Sequence, residues 1–117
     1  MTAELSIVIP VCNERSKIRP MLCLIDESCG DLRWEAIFVD DNSSDGTTEL
    51  IREFARTDER VRCLQRIGRS GFSSASLEGV LASSAPFSTV IDIDIHNSHD
   101  QLNRCIRPFQ TKRYYPR

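Results

Sequence analysis

The sequence switches repeatedly between short β-branched runs and longer stripes of helical period, and this alternation limits the chain to few architectures. Leu5–Pro10 (LSIVIP) is a continuous apolar run closed by a proline, as expected of a strand buried on both faces. Ile18, Met21, Leu22 and Ile25 follow at i, i+3, i+4 and i+7, the stripe of an amphipathic helix. Pro20 fits a helix that starts just before it, where no backbone donor is needed, and Gly30 is a stop signal. Trp34–Asp40 (WEAIFVD) reads as the second strand. The polar loop 41–46 then leads into a helix carrying Leu50, Ile51 and Phe54, with Asp45 or Thr47 as its cap.

The same alternation continues to the end of the chain. Val61–Gln65 predicts a third strand, Arg66–Gly71 a basic, glycine-bearing loop, and Ser74–Ser83 a helix with Leu77, Val80 and Leu81 turned inward. Ser88–Ile93 (STVIDI) predicts a fourth strand. A last stripe of Leu102, Cys105, Ile106 and Phe109 is interrupted by Pro108. Strands alternating with helices across short loops call for right-handed crossovers and an α/β fold, a mainly parallel sheet with helices on both faces. Ligands of such sheets sit outside the carboxyl ends of the strands. The polar motifs all follow strands: Asn13-Glu14, Asp40-Asp41, Arg66–Gly71, and Asp92 with Asp94.

Composition narrows the functional classes. With 117 residues there is room for one domain, and a net charge of −2 with interspersed signs offers no footprint for nucleic acid. Basic residues gather only at the end, where Arg104, Arg107, Lys112, Arg113 and Arg117 follow the last acidic residue, Asp100. The five cysteines show no metal-ligand spacing and read as reduced thiols of a cytoplasmic protein. No apolar stretch near the start is long enough to span a bilayer, so any membrane contact is expected to be peripheral.

Asp92-Ile93-Asp94 carries the most specific chemistry. Alternation along a strand sends Asp92 and Asp94 to one side and Ile93 to the other. Two carboxylates so placed suit a hard divalent ion such as Mg²⁺ or Mn²⁺, with phosphate oxygens completing the shell. Asp41, after a buried strand, can accept hydrogen bonds from a base or ribose. His96 and His99 lie beyond the acidic pair without the strict spacing of a zinc site. A phosphoacceptor receiver domain would carry its aspartate pair after the first strand. A phosphatase with a D-x-D nucleophile would carry that motif near the N-terminus. Neither fits.

Taken in order, IVIPVCNE, FVDDNSSDGT, GRSGFSSASLEG and IDID resemble family 2 glycosyltransferases of the GT-A fold, over about Leu5 to Asp94. Within that family the resemblance is to the dolichol-phosphate mannosyltransferases and their bacterial polyprenol-phosphate relatives. It implies that residues 1–109 are a nucleotide-sugar-binding part, while 110–117, without helix or strand periodicity, reads as a disordered basic tail. It also implies a nucleoside-diphosphate sugar donor, mannose or glucose, and transfer with inversion to a polyprenyl-phosphate acceptor at the cytoplasmic face of a membrane. By the same resemblance Pro10, Cys12, Glu14, Val39, Asp41, Arg66, Arg69, Ile93 and His96 would bind the nucleotide sugar, Asp92 and Asp94 would hold Mg²⁺ or Mn²⁺, and Arg66 and Arg69 would neutralise phosphate charge.

Three positions depart from the family pattern. Cys12 stands where an aromatic residue is usual, Ile93 where a small one is favoured, and His96 where glutamine or serine is common. The family's catalytic domain continues well past the acidic motif, so acceptor-side residues are not identifiable here. The alternative reading is an inactive fragment that binds nucleotide. An uncovered edge or apolar face would promote self-association.

Overall fold

The computed structural model describes residues 2–112, except the side chains of 95–97 and 110–112. Four strands, β1 (Leu5–Val11), β2 (Trp34–Asp40), β3 (Val61–Gln65) and β4 (Phe87–Val90), alternate with α1 (Arg15–Cys29), α2 (Thr47–Thr57), α3 (Phe72–Leu81) and α4 (Ile95–Lys112). The sheet has the order β3-β2-β1-β4, and all its pairings are parallel. The chain thus builds outward from β1 through β2 to β3, then returns to lay β4 on the other side of β1. The strand order reverses between β1 and β4, where open α/β sheets place a binding crevice.

Both central strands are buried on both faces, which is why their sequences are apolar throughout rather than alternating. On one face, Leu5, Ile7 and Ile9 of β1 and Phe38 of β2 pack with Ile18, Met21 and Ile25 of α1, Ile51 of α2, and Leu102 and Ile106 of α4. On the other, Val8, Ile37 and Val39 pack under α3.

That second face corrects the expected orientation of α3. Leu77, Val80 and Leu81 are exposed, and the residues facing the sheet are Ala75 and Gly79. A Cβ on Gly79 would lie 2.2 Å from Val8 Cγ1, so the helix sits too close to β1 for any larger residue. Small residues four apart were the signal, and a search for large apolar residues passes over it.

Other boundaries also differ. Helix α1 begins at Arg15, so Pro20 falls inside it, on the exposed face. Pro108 likewise does not interrupt α4, which runs on to Lys112 and includes the backbone of 110–112. Gly46, in the left-handed region at φ 92°, takes the position before α2. Asp45 instead accepts from the Thr47 amide and hydroxyl in an Asx turn.

The fourth strand ends at Val90 rather than Ile93. Val8 C=O still accepts from the Ile91 amide at 2.9 Å. The next donor from β1 towards β4 would be Pro10, which has no N–H. The ladder stops there, and 91–94 leave the sheet as a connection into α4.

Candidate functional site

The loops after β2, β1 and β4 leave the same, carboxyl edge of the sheet. The loops after β1 and β2 are laced together. The Asn13 amide donates to Ser43 Oγ at 2.8 Å, and Asn13 Oδ1 accepts from the Ser44 amide at 2.8 Å. The Glu14 amide donates to Thr47 Oγ1 at 3.1 Å. Asn13 and Asn42 both adopt positive φ (53° and 56°). Asparagine tolerates this better than most residues, and it lets each chain turn sharply off its strand.

The adjacent aspartates of β2 have different roles. Asp40 is fully buried and accepts from the Ser43 amide, the Ser43 hydroxyl and the Thr48 hydroxyl. It shapes the loop from inside. The Asp41 carboxylate is 12% exposed, accepting from Arg66 Nε at 2.6 Å and from the Gly71 amide at 3.1 Å. Asp41 therefore faces the β3–α3 loop at the carboxyl edge of the sheet.

Arg66 is not an open phosphate-binding cation in this arrangement. Its side chain is 1% exposed, and besides Asp41 it donates to Glu78, Ser74 Oγ and the Gly71 carbonyl. Hydrogen bonds to Asp41 and then Glu78 hold the guanidinium yet more firmly protonated. Arg69 is exposed but makes a two-pronged pair with Glu78 (3.1 and 2.8 Å). These partners, Arg66 first and then Arg69, hold the Glu78 carboxyl below the usual glutamate range.

The acidic pair lies on the other side of β1. Ile91 and Ile93 are buried in the core, Asp92 is exposed and Asp94 half-buried. The alternation expected of a strand thus survives in the connection, although the ladder has ended. The Ser98 hydroxyl donates to the carbonyls of both Asp92 and Asp94 (2.5 and 2.7 Å), tying the connection to the first turn of α4. The Ile93 side chain points into the core rather than into the crevice, as does that of Val39. Neither side chain can crowd or grip a ligand, so contact from these two residues would have to come from their backbone.

Pro10 is half-buried, Cys12 exposed, and Glu14 paired with Lys17 at 3.3 Å. Desolvation of its sulfur, and then the charges of Asp40, Asp41, Asp45 and Glu14, push the Cys12 thiol up. The His96 side chain lies outside the described residues, as does the tail 113–117.

The donor set fits a hard divalent ion bound together with a ligand. Asp92 and Asp94 supply carboxylate oxygens on one side of a short connection whose backbone Ser98 holds. Among the described residues no cluster of three or more histidine, cysteine or carboxylate side chains forms a complete cage. Two carboxylates leave most of an octahedral shell for phosphate and water, the usual arrangement for Mg²⁺. Sequence reasoning missed Glu78, Ser74 and Ser98. Their spacing from the motifs they support carries no signal without the fold.

Comparison with known proteins bears on the family and the fold. The profile described as "Glycosyl transferase family 2" matches residues 6–115. The dolichol-phosphate mannosyltransferase of Saccharomyces cerevisiae is 30% identical over 100 residues, covering 83% of this chain and 38% of that protein. The undecaprenyl-phosphate 4-deoxy-4-formamido-L-arabinose transferase of Aeromonas hydrophila is 30% identical over 104 residues, covering 86% and 32%. This chain therefore spans about a third of the length of the curated relatives it matches. In fold it is similar to a Pyrobaculum calidifontis mannosyltransferase solved with GDP-Man and Mn²⁺ (TM-score 0.68, 22% identity, 80% of this chain and 28% of that one). It is also similar to glucosyl-3-phosphoglycerate synthase of Mycobacterium tuberculosis with Mn²⁺, UDP and glucosyl-3-phosphoglycerate (TM-score 0.60, 26% identity, 79% and 34%). With its ordered motifs on a parallel GT-A-type sheet and a profile match over nearly its whole length, the chain belongs to glycosyltransferase family 2.

Proposed function

We propose that this chain is the donor-binding part of a glycosyltransferase that moves a sugar from a nucleoside diphosphate to a polyprenyl-phosphate acceptor. One observation carries the reading: Asp41 on one side of β1 and Asp92 with Asp94 on the other flank the point where strand order reverses. A nucleotide lying across the end of β1 would set its base or ribose at Asp41, near Pro10, Cys12 and Glu14. Its diphosphate would lie at Asp92 and Asp94. Mannose is the favoured sugar, since the relatives include dolichol-phosphate mannosyltransferases of yeast and of Pyrococcus furiosus.

In the reaction a phosphate oxygen of the acceptor forms a bond to the anomeric carbon as the bond to the nucleoside diphosphate breaks, with inversion. The attacking phosphate is ionised at neutral pH, so little general-base help is needed. Mg²⁺ or Mn²⁺ at Asp92 and Asp94 supplies positive charge against the departing diphosphate. Asp41 fixes the nucleoside end, and the buried Ile91 and Ile93 hold the acidic connection in place. No helix among the described residues is long and apolar enough to cross a membrane. We place the acceptor's contact at a membrane surface on the cytoplasmic side. The exposed Leu77 and Leu81 of α3 support self-association, which sedimentation at increasing concentration would reveal.

Calorimetry tests the reading. GDP and UDP are titrated with and without Mn²⁺ into the natural chain and into Asp94→Asn. Binding by the natural chain should be tighter with Mn²⁺, and Asp94→Asn should abolish that difference. Equal losses with and without Mn²⁺ would mean that the acidic pair is no metal site.

A further inference from the structure

We propose that Arg66 is a positioning residue that acts on the nucleotide through Asp41, and that Glu78 holds it in that role. The inference rests on the nucleotide site proposed above and assigns Arg66 a part other than phosphate binding. The guanidinium is almost wholly enclosed and engaged through all three of its nitrogens. Nε donates to Asp41, Nη1 to Ser74 Oγ at 2.9 Å and Glu78 Oε2 at 2.7 Å, and Nη2 to the Gly71 carbonyl at 3.1 Å. Its backbone amide donates to the Asp40 carbonyl at 2.8 Å, so main chain and side chain both anchor the loop to the end of β2. Reaching a phosphate would break several of these bonds in a desolvated setting, where each is costly to leave unmade.

Charge balance points the same way. Asp41 and Glu78 carry two negative charges, and Arg66 and Arg69 two positive ones, all within one linked network. A neutral tetrad has no surplus charge for a diphosphate. It can instead fix the orientation of a carboxylate. Arg66 takes Asp41 Oδ1 and the Gly71 amide takes Oδ2, which leaves one lone-pair direction on each oxygen for a base or ribose donor. Gly71 makes its bond from φ 117°, a conformation that side chains rarely adopt, so the loop is built around Asp41.

A double-mutant cycle decides the matter, using GDP and UDP with Mn²⁺ by calorimetry, and guanosine and uridine by ligand-observed NMR. Arg66→Gln is expected to weaken nucleoside and nucleoside diphosphate by the same factor, about tenfold. In the Asp41→Asn background the same change should add less than about twofold. Additive losses, or a loss confined to the diphosphates, would overturn the proposal and return Arg66 to the phosphates. If melting shows that Arg66→Gln does not fold, Glu78→Gln takes its place in the cycle. Non-additivity with Asp41→Asn is again expected, and additivity again overturns the proposal. A natural chain that binds neither GDP nor UDP would defeat the nucleotide site itself, and this inference with it. A natural chain that binds, with additive losses in the variants, defeats this inference alone.

Discussion

Glu35 at the amino end of the sheet, and Asp41 and Asp92 at the carboxyl end, are held in opposite ways. At the amino end, Glu35 of β2 is buried and accepts from Ser6 Oγ of β1, from the amide and hydroxyl of Ser84, and from Arg62 of β3. Arg62 also donates to the Ala82 carbonyl, and Ser6 Oγ accepts from the Ala85 amide, so one carboxylate joins three strands to the α3–β4 turn. At the carboxyl end Asp92 is exposed, and Asp41, although fixed, keeps acceptor capacity. Burial together with saturation of the lone pairs therefore separates a structural carboxylate from one available to a ligand. A residue name or a strand end cannot do so.

Removing Glu35 should have the largest effect. Glu35→Ala leaves Arg62, Ser6 and Ser84 without their shared acceptor and should cost about 3 kcal/mol of stability. Nucleotide affinity of the folded fraction should stay unchanged. Denaturant unfolding and calorimetry on one preparation would measure both, and a cost below about 1 kcal/mol would remove the basis of the contrast.

Asp41 should fall between the two extremes, since it both pairs with the buried Arg66 and faces the crevice. Asp41→Asn keeps the shape and one acceptor oxygen but loses the charge opposite the guanidinium, and should cost about 1–2 kcal/mol. It should also weaken GDP or UDP binding about equally with and without Mn²⁺. Loss of binding with no loss of stability would show that the Arg66 pair contributes nothing to the fold.

A smaller effect is expected from pH. Burial alone would raise the Glu35 carboxyl, but the hydrogen bonds from Ser6, Ser84 and Arg62 outweigh it and leave the group below its ordinary 4.5. A carboxyl lowered on folding contributes stability above its unfolded pKa, and this is lost as pH falls through the folded value. The natural chain should therefore lose stability below about pH 4.5, and Glu35→Gln should show a shallower acid limb. Parallel limbs in unfolding curves between pH 5 and 3 would contradict this.

The smallest change in stability should come from Asp94→Asn, within about 0.5 kcal/mol, because asparagine keeps the shape of the side chain and caps a helix as well as aspartate, and the Ser98 bonds to backbone carbonyls are untouched. Its loss of Mn²⁺-dependent nucleotide binding should nonetheless be the largest in the set. A thermal melt beside the calorimetric titration would test the pairing of large binding loss with small stability loss.

Much of this protein could be read from the order of its residues. The β-branched runs, the amphipathic stripes of α1 and α2, and the four polar motifs after strands depend on local periodicity, which a linear sequence displays directly. Those features were enough to predict a parallel α/β sheet and a family 2 resemblance. Tertiary structure decided what depends on partners distant in the chain. The close approach of Gly79 to Val8 turned Leu77 and Leu81 outward. The missing Pro10 donor ended β4 before the acidic pair. Glu78, twelve residues beyond Arg66, pairs with its guanidinium and leaves it enclosed. Side-chain role follows from desolvation and from which donors and acceptors are already engaged, and both are fixed only when separate segments pack together.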